Sequence, residues 1–228
     1  RDARHDGVDA PALEVGLSGS WFFASSNQRP GFDAADVRAI CDVNASTKAG
    51  DAATTGHKGI GFKAVFAMCD RPCVLSNGFA FYFDAARDGP LGLVAPRWLA
   101  LDGADGAPAP PGDVVDRWRA GRTVVALPLA DGDAGDARAA LDAAKAEAPR
   151  LLLFARRLAA LAVTVDGATQ TWTATRGPGA SRVAVATAGA AAAYDVFESA
   201  GATVAFRAGG PERPAFYHAV LPLSLIHI

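Results

Sequence analysis

The chain has 228 residues, of which 50% are hydrophobic and 20% charged, and its formal net charge is −2 with a pI near 6.1. This composition argues against a disordered chain and provides enough apolar surface for one full domain and part of another. Nucleic-acid binders carry a concentrated basic face, which this charge balance does not provide, so we expect no nucleic-acid partner.

The cysteines and the hydropathy of the chain indicate its cellular environment and whether it crosses a membrane. Cys41, Cys69 and Cys73 lie in or beside apolar runs, which is typical of reduced, buried thiols rather than of a secreted disulfide framework. The four histidines show no metal-ligand spacing with these cysteines. No apolar run approaches the roughly 20 residues that cross a bilayer, and no signal-peptide pattern opens the chain. We therefore expect an intracellular protein, cytoplasmic or nuclear, with no membrane partner.

The N-terminal part is predicted to form a hairpin, a helix and a glycine-rich loop. Residues 11–25 alternate apolar and small residues around a Ser-Gly-Ser break, which predicts a hairpin. Asp33 can cap the helix that follows. Residues 44–61 are polar and rich in glycine, and they lead into Phe62, Val65, Phe66 and Cys69, whose spacing predicts a second helix.

The rest of the chain is predicted to alternate strands and helices before it becomes rich in strands. Asn77-Gly78 lies between two apolar runs and predicts a tight hairpin. The proline-rich residues 102–113 predict a surface excursion. The remaining predictions are strands at 123–129 and 161–166, a helix over 136–158 broken near Pro149, four short strands from 169 onward, and one helical pattern near 190–199.

The loop that ends at Phe62 has the composition of a phosphate-binding segment. Residues 56–66 combine glycines, two lysines and the start of an apolar helical pattern. Glycines let the backbone approach a ligand closely, and helix N-termini favour phosphate. The loop matches neither a P-loop nor the Rossmann fingerprint, and no protein-kinase catalytic motif follows it. The alternative interpretation is an ordinary flexible turn before a core helix.

Three motifs carry a family resemblance. They are Asn27-Gln28-Arg29-Pro30-Gly31-Phe32, the segment from Cys41 to Lys48 (Cys-Asp-Val-Asn-Ala-Ser-Thr-Lys), and the segment from Gly56 to Lys63 (Gly-His-Lys-Gly-Ile-Gly-Phe-Lys). Their order and spacing resemble the GHKL, or Bergerat-fold, ATPase domains, in particular the branch that includes sacsin and NO VEIN. Ser76-Asn77-Gly78-Phe79 and Gly121-Arg122-Thr123-Val124 extend the resemblance, which covers nearly all of residues 1–166.

The resemblance implies a fold and a domain organisation. Residues 1–166 are expected to form an α/β two-layer sandwich (α+β), with helices on one face of a mixed β-sheet. Residues 167–222 are expected to begin a β-rich unit, and residues 223–228 resemble the translation of a sequencing adapter. The domain is expected to be truncated at both ends, because the helix that carries the family's general-base Glu and magnesium-binding Asn would precede Arg1.

The resemblance also implies a nucleotide site with distinct roles along the chain. Asn27 would take the adenine-reading position, with Thr123 near the base. Ser46 to Lys48 would begin a lid, and Gly56 to Gly61 would lie against the phosphates. The implied nucleotide-binding residues are Asn27, Gly31, Ser46, Thr47, Lys48, Gly56, Lys58, Gly59, Ile60, Gly61, Phe62 and Thr123, with no catalytic or metal-binding residue in the chain. For Asn27 and Gly31 the alternative is an ordinary strand-to-helix turn.

The expected function is ATP binding, with ATP and Mg²⁺ as cofactors. In the intact parent, slow magnesium-dependent hydrolysis would drive lid closure in a chaperone-like or scaffold protein. The expected partners are an adenine nucleotide and protein clients or other domains of the parent. The alternative is a nucleotide-binding or structural interaction module that does not hydrolyse ATP, so the sequence leaves open whether the chain belongs to an enzyme.

Overall fold

A computed structural model describes residues 8–42, 62–155, 157–177, 182–199, 202–209 and 216–219. These ranges contain twelve strands, four α-helices and three short 3₁₀ helices. The strands are β1 Ala12–Ser18, β2 Trp21–Ser26, β3 Cys73–Ser76, β4 Phe79–Tyr82, β5 Arg97–Trp98, β6 Thr123–Pro128, β7 Ala160–Val165, β8 Ala168–Arg176, β9 Arg182–Thr187, β10 Ala190–Ser199, β11 Ala202–Arg207 and β12 Phe216–Ala219. The α-helices are α1 Ala34–Cys41, α2 Ala85–Asp88, α3 Gly112–Arg119 and α4 Asp133–Phe154, and the 3₁₀ helices are Phe62–Ala67, Gly89–Leu93 and Ala104–Gly106.

All twelve described strands belong to one mixed sheet in the order β12-β11-β10-β9-β8-β7-β1-β2-β6-β3-β4-β5. Strands β1 and β7 pair in parallel, with Ala12 opposite Ala160. The other described neighbours pair antiparallel. The N-terminal hairpin therefore lies at the centre of the sheet, between β7 and β6.

Residues with positive φ turn the chain at three hairpins. Gly19 joins β1 to β2 with φ 57°, and Asn77 joins β3 to β4 with φ 53°. Asp166 and Gly167 join β7 to β8 with φ 47° and 81°, the pair of left-handed residues that a two-residue hairpin loop favours. The two hairpins predicted from residues 11–25 and from Asn77-Gly78 are confirmed.

The main core lies between α4 and the middle of the sheet. Successive side chains of a strand face opposite sides, so Leu13, Val15 and Leu17 of β1 face α4, and the same core continues into β7, β8 and β9. The opposite face carries Phe23 of β2, which packs with Val114 of α3. Helices thus cover both faces of the sheet.

Helix α1 and the 3₁₀ helix Phe62–Ala67 lie over β3, β4 and β6, on the same face as α4. Asp33 caps α1 through a reciprocal capping box with Asp36, in which Asp36 N–H donates to Asp33 Oδ1 at 2.8 Å. This confirms the predicted cap. We name the packing here the aromatic cluster; it comprises Phe32, Val37, Ile40, Cys41, Phe62, Val65, Phe66, Val74, Phe79, Phe81, Phe83 and Val125.

The predicted α/β two-layer sandwich, with helices on one face of the sheet, is wrong. The structure is a large mixed sheet with few helices, and α3 lies on the face opposite α4. Strands β8 to β12, which the sequence suggested as the start of a β-rich unit, extend the same sheet from β7. Hydrophobic periodicity identifies strands but does not specify their neighbours. The domain division after residue 166 stays a prediction.

Three predicted elements also differ from the structure. Residues 190–199 form β10 and not a helix, because pairing with β9 and β11 and the alternate burial of Tyr194 and Val196 outweigh the helix propensity of the alanines. The segment after the glycine-rich loop is a 3₁₀ helix of six residues, which ends shortly before the chain enters β3. Helix α4 continues through Pro149, where the burial of Ala148, Leu152 and Leu153 holds it against the sheet. None of the helices in the described ranges is both long and apolar enough to cross a membrane.

Candidate functional site

Four of the twelve predicted nucleotide-binding residues lie in the described part of the chain. They are Asn27, Gly31, Phe62 and Thr123. Ser46, Thr47, Lys48, Gly56, Lys58, Gly59, Ile60 and Gly61 lie outside the described residues. The candidate site is therefore described from residues 27–32, the β3–β4 hairpin and the start of β6.

Gly31 lies directly against the turn between β3 and β4. A Cβ atom at this position would be 3.0 Å from Ser76 Oγ and 3.1 Å from Asn77 N. Phe32 N–H donates to Ser76 Oγ at 2.8 Å, and Asn77 Nδ2 donates to the Phe32 carbonyl oxygen at 3.3 Å. Because nothing larger than glycine fits without displacing its neighbours, the two motifs are in close backbone contact here.

Thr123 joins the same junction from the start of β6. Its hydroxyl lies 2.5 Å from Ser76 Oγ, and it is paired across the sheet with Ser26 of β2. Ser76 is fully buried, and Thr123 and Ser26 are nearly so. We name Ser26, Thr123 and Ser76 the hydroxyl row. The structure thus brings together Gly31 and Thr123, which are far apart in the sequence.

The side-chain amide of Asn27 hydrogen-bonds the backbone at the beginning of β1. Ala12 N–H donates to Asn27 Oδ1 at 2.7 Å, and Asn27 Nδ2 donates to the Ala10 carbonyl oxygen at 2.9 Å. Both ends of the carboxamide therefore bind backbone in this structure. The predicted adenine-reading role of Asn27 stays a prediction, since further contact through the oxygen remains chemically open.

Phe62 packs in the aromatic cluster, with its ring centroid 5.6 Å from that of Phe83. Lys63 lies over the same rings and donates to the Leu93 carbonyl oxygen. Burial lowers the pKa of Lys63, while the charges of Cys41 and Asp42 partly oppose that shift. Cys41 and Phe62, which flank residues 43–61, both belong to the cluster.

Polar residues at the end of β2 are the part of the site that sequence reasoning missed. Ser25, Ser26 and Gln28 are all at most 8% exposed. Arg122 donates from Nε to Ser25 Oγ at 2.6 Å, and burial lowers the pKa of this guanidinium. The signal was present in the sequence, because a run of Ser, Ser, Asn and Gln directly follows the apolar residues of a central strand.

An ion pair lies near this site on the α3 face of the sheet. Glu14 of β1 accepts two hydrogen bonds from Arg117 of α3, at 2.7 and 3.1 Å, and one from Thr164 Oγ1 at 2.7 Å. Burial opposes the ionisation of Glu14, but the hydrogen bonds from Arg117 and Thr164 and the charges of Arg117 and Arg122 outweigh it and hold its pKa below the ordinary 4.5. The Arg117 guanidinium also lies 4.3 Å from the centroid of the Phe23 ring.

A cleft of about 530 Å³ lies at the other end of β2 and β6. Its lining includes Trp21, Phe66, Met68, Cys69 and Leu129, and none of the predicted nucleotide-binding residues. Burial raises the pKa of the Cys69 thiol to about 11. In the described part of the chain, no group of three His, Cys, Asp or Glu residues could hold a metal ion.

Comparison with known proteins finds a family match for the region that contains Asn27, Gly31, Phe62 and Ser76. Residues 19–88 match the Sacsin domain family. Residues 19–88 are sacsin-like. The chain is also similar to Protein NO VEIN of Arabidopsis thaliana, with 47% identity over 70 residues, which is 31% of this chain and 2% of the relative. The match thus spans a small part of the length of that relative, and Thr123 lies beyond the sacsin-like residues.

Proposed function

We propose that this chain is part of an ATP-binding domain of the sacsin and NO VEIN branch of the GHKL ATPases. The observation that carries the proposal is the meeting of Gly31, Ser76 and Thr123, which come from three separate segments of the resemblance. Two of those segments lie in the sacsin-like range. A family site that is assembled from distant motifs requires this kind of convergence.

The chemistry of the junction is compatible with a purine nucleotide. Close packing at Gly31 brings two backbone segments together without intervening side chains. The hydroxyl row supplies groups that donate and accept hydrogen bonds at the end of a mostly apolar sheet. Pockets for small molecules typically combine apolar walls with a few placed polar groups of this kind. Residues 56–61, with their glycines and Lys58, would contact the phosphates.

The described residues do not form a site for Mg²⁺, because no cluster of acidic or histidine ligands occurs among them. We therefore derive no hydrolytic step from this chain. Hydrolysis by the parent, and closure of a lid in a chaperone-like or scaffold protein with client proteins, belong to the proposal through the family resemblance alone.

Titration calorimetry with ATP, with and without Mg²⁺, tests the proposal. The chain should bind ATP, and Gly59→Val should abolish binding because a branched side chain fills the space that the phosphates need. Thr123→Val should weaken binding by about 1 kcal/mol or more because it removes a buried hydroxyl, whereas Thr123→Ser, which keeps the hydroxyl, should bind nearly as well. Absence of binding to any adenine nucleotide by the folded chain would reject the proposal.

A structural interaction module is the second candidate function, and the hydrogen bonds of Asn27 favour it. That amide holds Ala10 and Ala12, while Ser76 and Thr123 bond to each other. These polar groups thus already stabilise the fold without a ligand. Under this alternative, Thr123→Val would lower the free energy of unfolding, and calorimetry would detect no heat of nucleotide binding.

A further inference from the structure

The cleft at the ends of β2 and β6 has apolar walls and the volume of a small-molecule pocket. Its walls include Trp21, Phe66, Met68 and Leu129, and Met68 is 43% exposed. Its volume of about 530 Å³ lies within the range of roughly 300–1,000 Å³ that is typical of sites for small ligands. A ligand in this cleft would cover apolar surface that now faces solvent.

Arg71 carries the positive charge in the lining of this cleft, and three contacts hold its guanidinium in place. Nη2 donates to the Gly106 carbonyl oxygen. The guanidinium carbon lies 5.6 Å from the centroid of the Tyr82 ring, and Nε lies 3.3 Å from Asp84 Oδ2. The side chain is still 35% exposed. The cleft therefore combines apolar walls with a fixed cation that solvent can reach.

The hydrogen bonding of Arg71 is incomplete. Its Nε is buried, and no acceptor in the described part of the chain meets hydrogen-bonding geometry with it, although Asp84 is near. Buried polar groups in folded proteins nearly always have a partner. A guanidinium presents five N–H donors in a planar fork that suits a carboxylate. Arg71 thus retains donors for an anionic ligand.

Two acidic side chains lie near Arg71, and neither takes the place of such a ligand. Asp84 is 4% exposed, and its other oxygen accepts from Arg87 N–H at 3.0 Å, so its charge is shared with the start of α2. Asp70 lines the cleft but is exposed, and water and salt screen an exposed charge. The partly buried guanidinium therefore dominates the choice of ligand charge.

We infer that this cleft is a binding site for a small apolar carboxylate, separate from the predicted nucleotide-binding residues. The apolar body of the ligand would pack on Trp21, Phe66 and Leu129, and its carboxylate would bind Arg71. A neutral ligand of the same shape would bury the same surface without the charge-assisted hydrogen bonds, and a cationic one would be repelled by Arg71. Selectivity for the carboxylate is the property that distinguishes this site from a merely apolar cleft.

Titration calorimetry at pH 7 with 2-naphthoate, 2-naphthamide and 2-naphthylmethylamine tests this assignment, because the three probes share one ring system and differ in charge. The wild-type chain should bind the carboxylate at least about fivefold more tightly than the amide, and the amine most weakly. In Arg71→Gln the carboxylate and amide affinities should differ by less than about twofold, with the amide affinity close to that of the wild type. Equal wild-type affinities for carboxylate and amide, or tighter binding of the amine, would overturn the assignment.

A second pair of variants locates the ligand and does not depend on tolerance of the Arg71 substitution. Ala130 is exposed and lines the cleft, so Ala130→Trp should fill the cleft and abolish binding of 2-naphthoate without lowering the unfolding midpoint. Ala140→Trp is the matched control, since Ala140 is exposed on α4 and does not belong to the lining, and it should bind as the wild type does. Unchanged binding in Ala130→Trp, or no binding of about 1 mM 2-naphthoate by the folded wild-type chain, would reject the site.

Discussion

At the scale of single residues, Gly31 marks the place where two distant motifs come into contact. A methyl group there would lie 3.0 Å from Ser76 Oγ and 3.1 Å from the Asn77 backbone nitrogen, closer than ordinary packing allows. The Asn77 backbone belongs to a tight hairpin and cannot retreat without disturbing β3 and β4. A side chain at Gly31 would therefore require Ser76 or Asn77 to shift by a few tenths of an ångström.

We expect Gly31→Ala to lower the free energy of unfolding by about 1–2 kcal/mol, because it overpacks this contact. Urea denaturation followed by circular dichroism measures the change. Gly78→Ala is the matched control, since a Cβ at Gly78 would have no atom within 4 Å. Equal stability of the two variants would show that the Gly31 contact is not tight in solution.

Sequence reasoning recovered some residues of the candidate site and missed others for physical reasons. Gly31 and Thr123 were recovered because the family motifs mark them, and the structure shows that they reach the same place through Ser76. The burial of Gln28 was not visible, because a glutamine beside a predicted turn is usually exposed. The commitment of Asn27 to Ala10 and Ala12 depends on strand register, which no local pattern specifies.

At the scale of elements, the Glu14–Arg117 pair connects α3 to the central strand β1. Both side chains are mostly buried, with 15% and 17% of their surfaces exposed. The pKa of Glu14 is lower in the folded chain than its ordinary value of 4.5. The stability it contributes is therefore present above pH 4.5 and is lost as the pH falls through the folded-state pKa.

We expect Glu14→Gln to lower the free energy of unfolding at pH 7 by about 2 kcal/mol, because it leaves the partly buried Arg117 with only the half-exposed carboxylate of Asp113 as a charged partner. The variant should also lose less stability than the wild type when the pH falls below 4.5. Denaturation at a series of pH values measures both effects. Asp142→Asn, which removes an exposed carboxylate paired with Lys145, should behave like the wild type, and a parallel pH profile for Glu14→Gln would contradict the role of the pair.

The Arg176 side chain of β8 hydrogen-bonds backbone carbonyl oxygens at and just beyond the C-terminal end of α4. Its guanidinium donates to the carbonyl oxygens of Leu152 at 2.9 Å and Leu158 at 3.1 Å, and also to that of Ala155. The last carbonyls of a helix have no partner within the helix, so this side chain supplies one.

We expect Arg176→Met to lower the free energy of unfolding by about 2 kcal/mol, because the carbonyl oxygens lose a charged donor while the apolar stem is kept. Thermal unfolding followed by circular dichroism measures the loss. Arg182→Met removes an exposed arginine from the neighbouring strand, where it pairs with Asp195, and should change stability little. Similar losses in both variants would indicate that Arg176 does not support α4.

Secondary structure was predictable where local chemistry decides it. Asp33 with its capping box and Asn77 in its turn are local signals, and both were confirmed. The strand at 190–199 was not predictable from its run of alanines, because only the neighbouring β9 and β11 make it a strand. The face of the sheet on which α3 packs was not predictable either, because it depends on the order of the strands.

At the scale of the whole molecule, the sheet joins the sacsin-like region to the C-terminal strands without interruption. Helix α4 packs on β1 and β7 and also on β8 and β9. Trp172, Val185 and Val196, which lie beyond residue 166, belong to its core. The burial of α4 therefore depends on strands from both parts of the chain.

We expect a chain truncated after residue 166 to lose cooperative unfolding, because α4 would lose much of its apolar cover. Binding of a hydrophobic dye should increase relative to a chain that ends at residue 209, and the thermal transition should broaden. Calorimetry together with dye fluorescence makes the comparison. A truncated chain with an unchanged midpoint and no dye binding would instead support an independent domain that ends at residue 166.

The parallel pairing of β1 with β7 has a consequence for synthesis on the ribosome. Strand β1 meets β2 within a few residues of translation, but its other edge has no partner until residues 160–165 have left the exit tunnel. During that interval the middle of the future sheet presents open backbone groups to any strand of a neighbouring nascent chain. Conditions that slow elongation between the two strands should therefore increase misassembly between chains, because the edge of β1 then stays unpaired for longer.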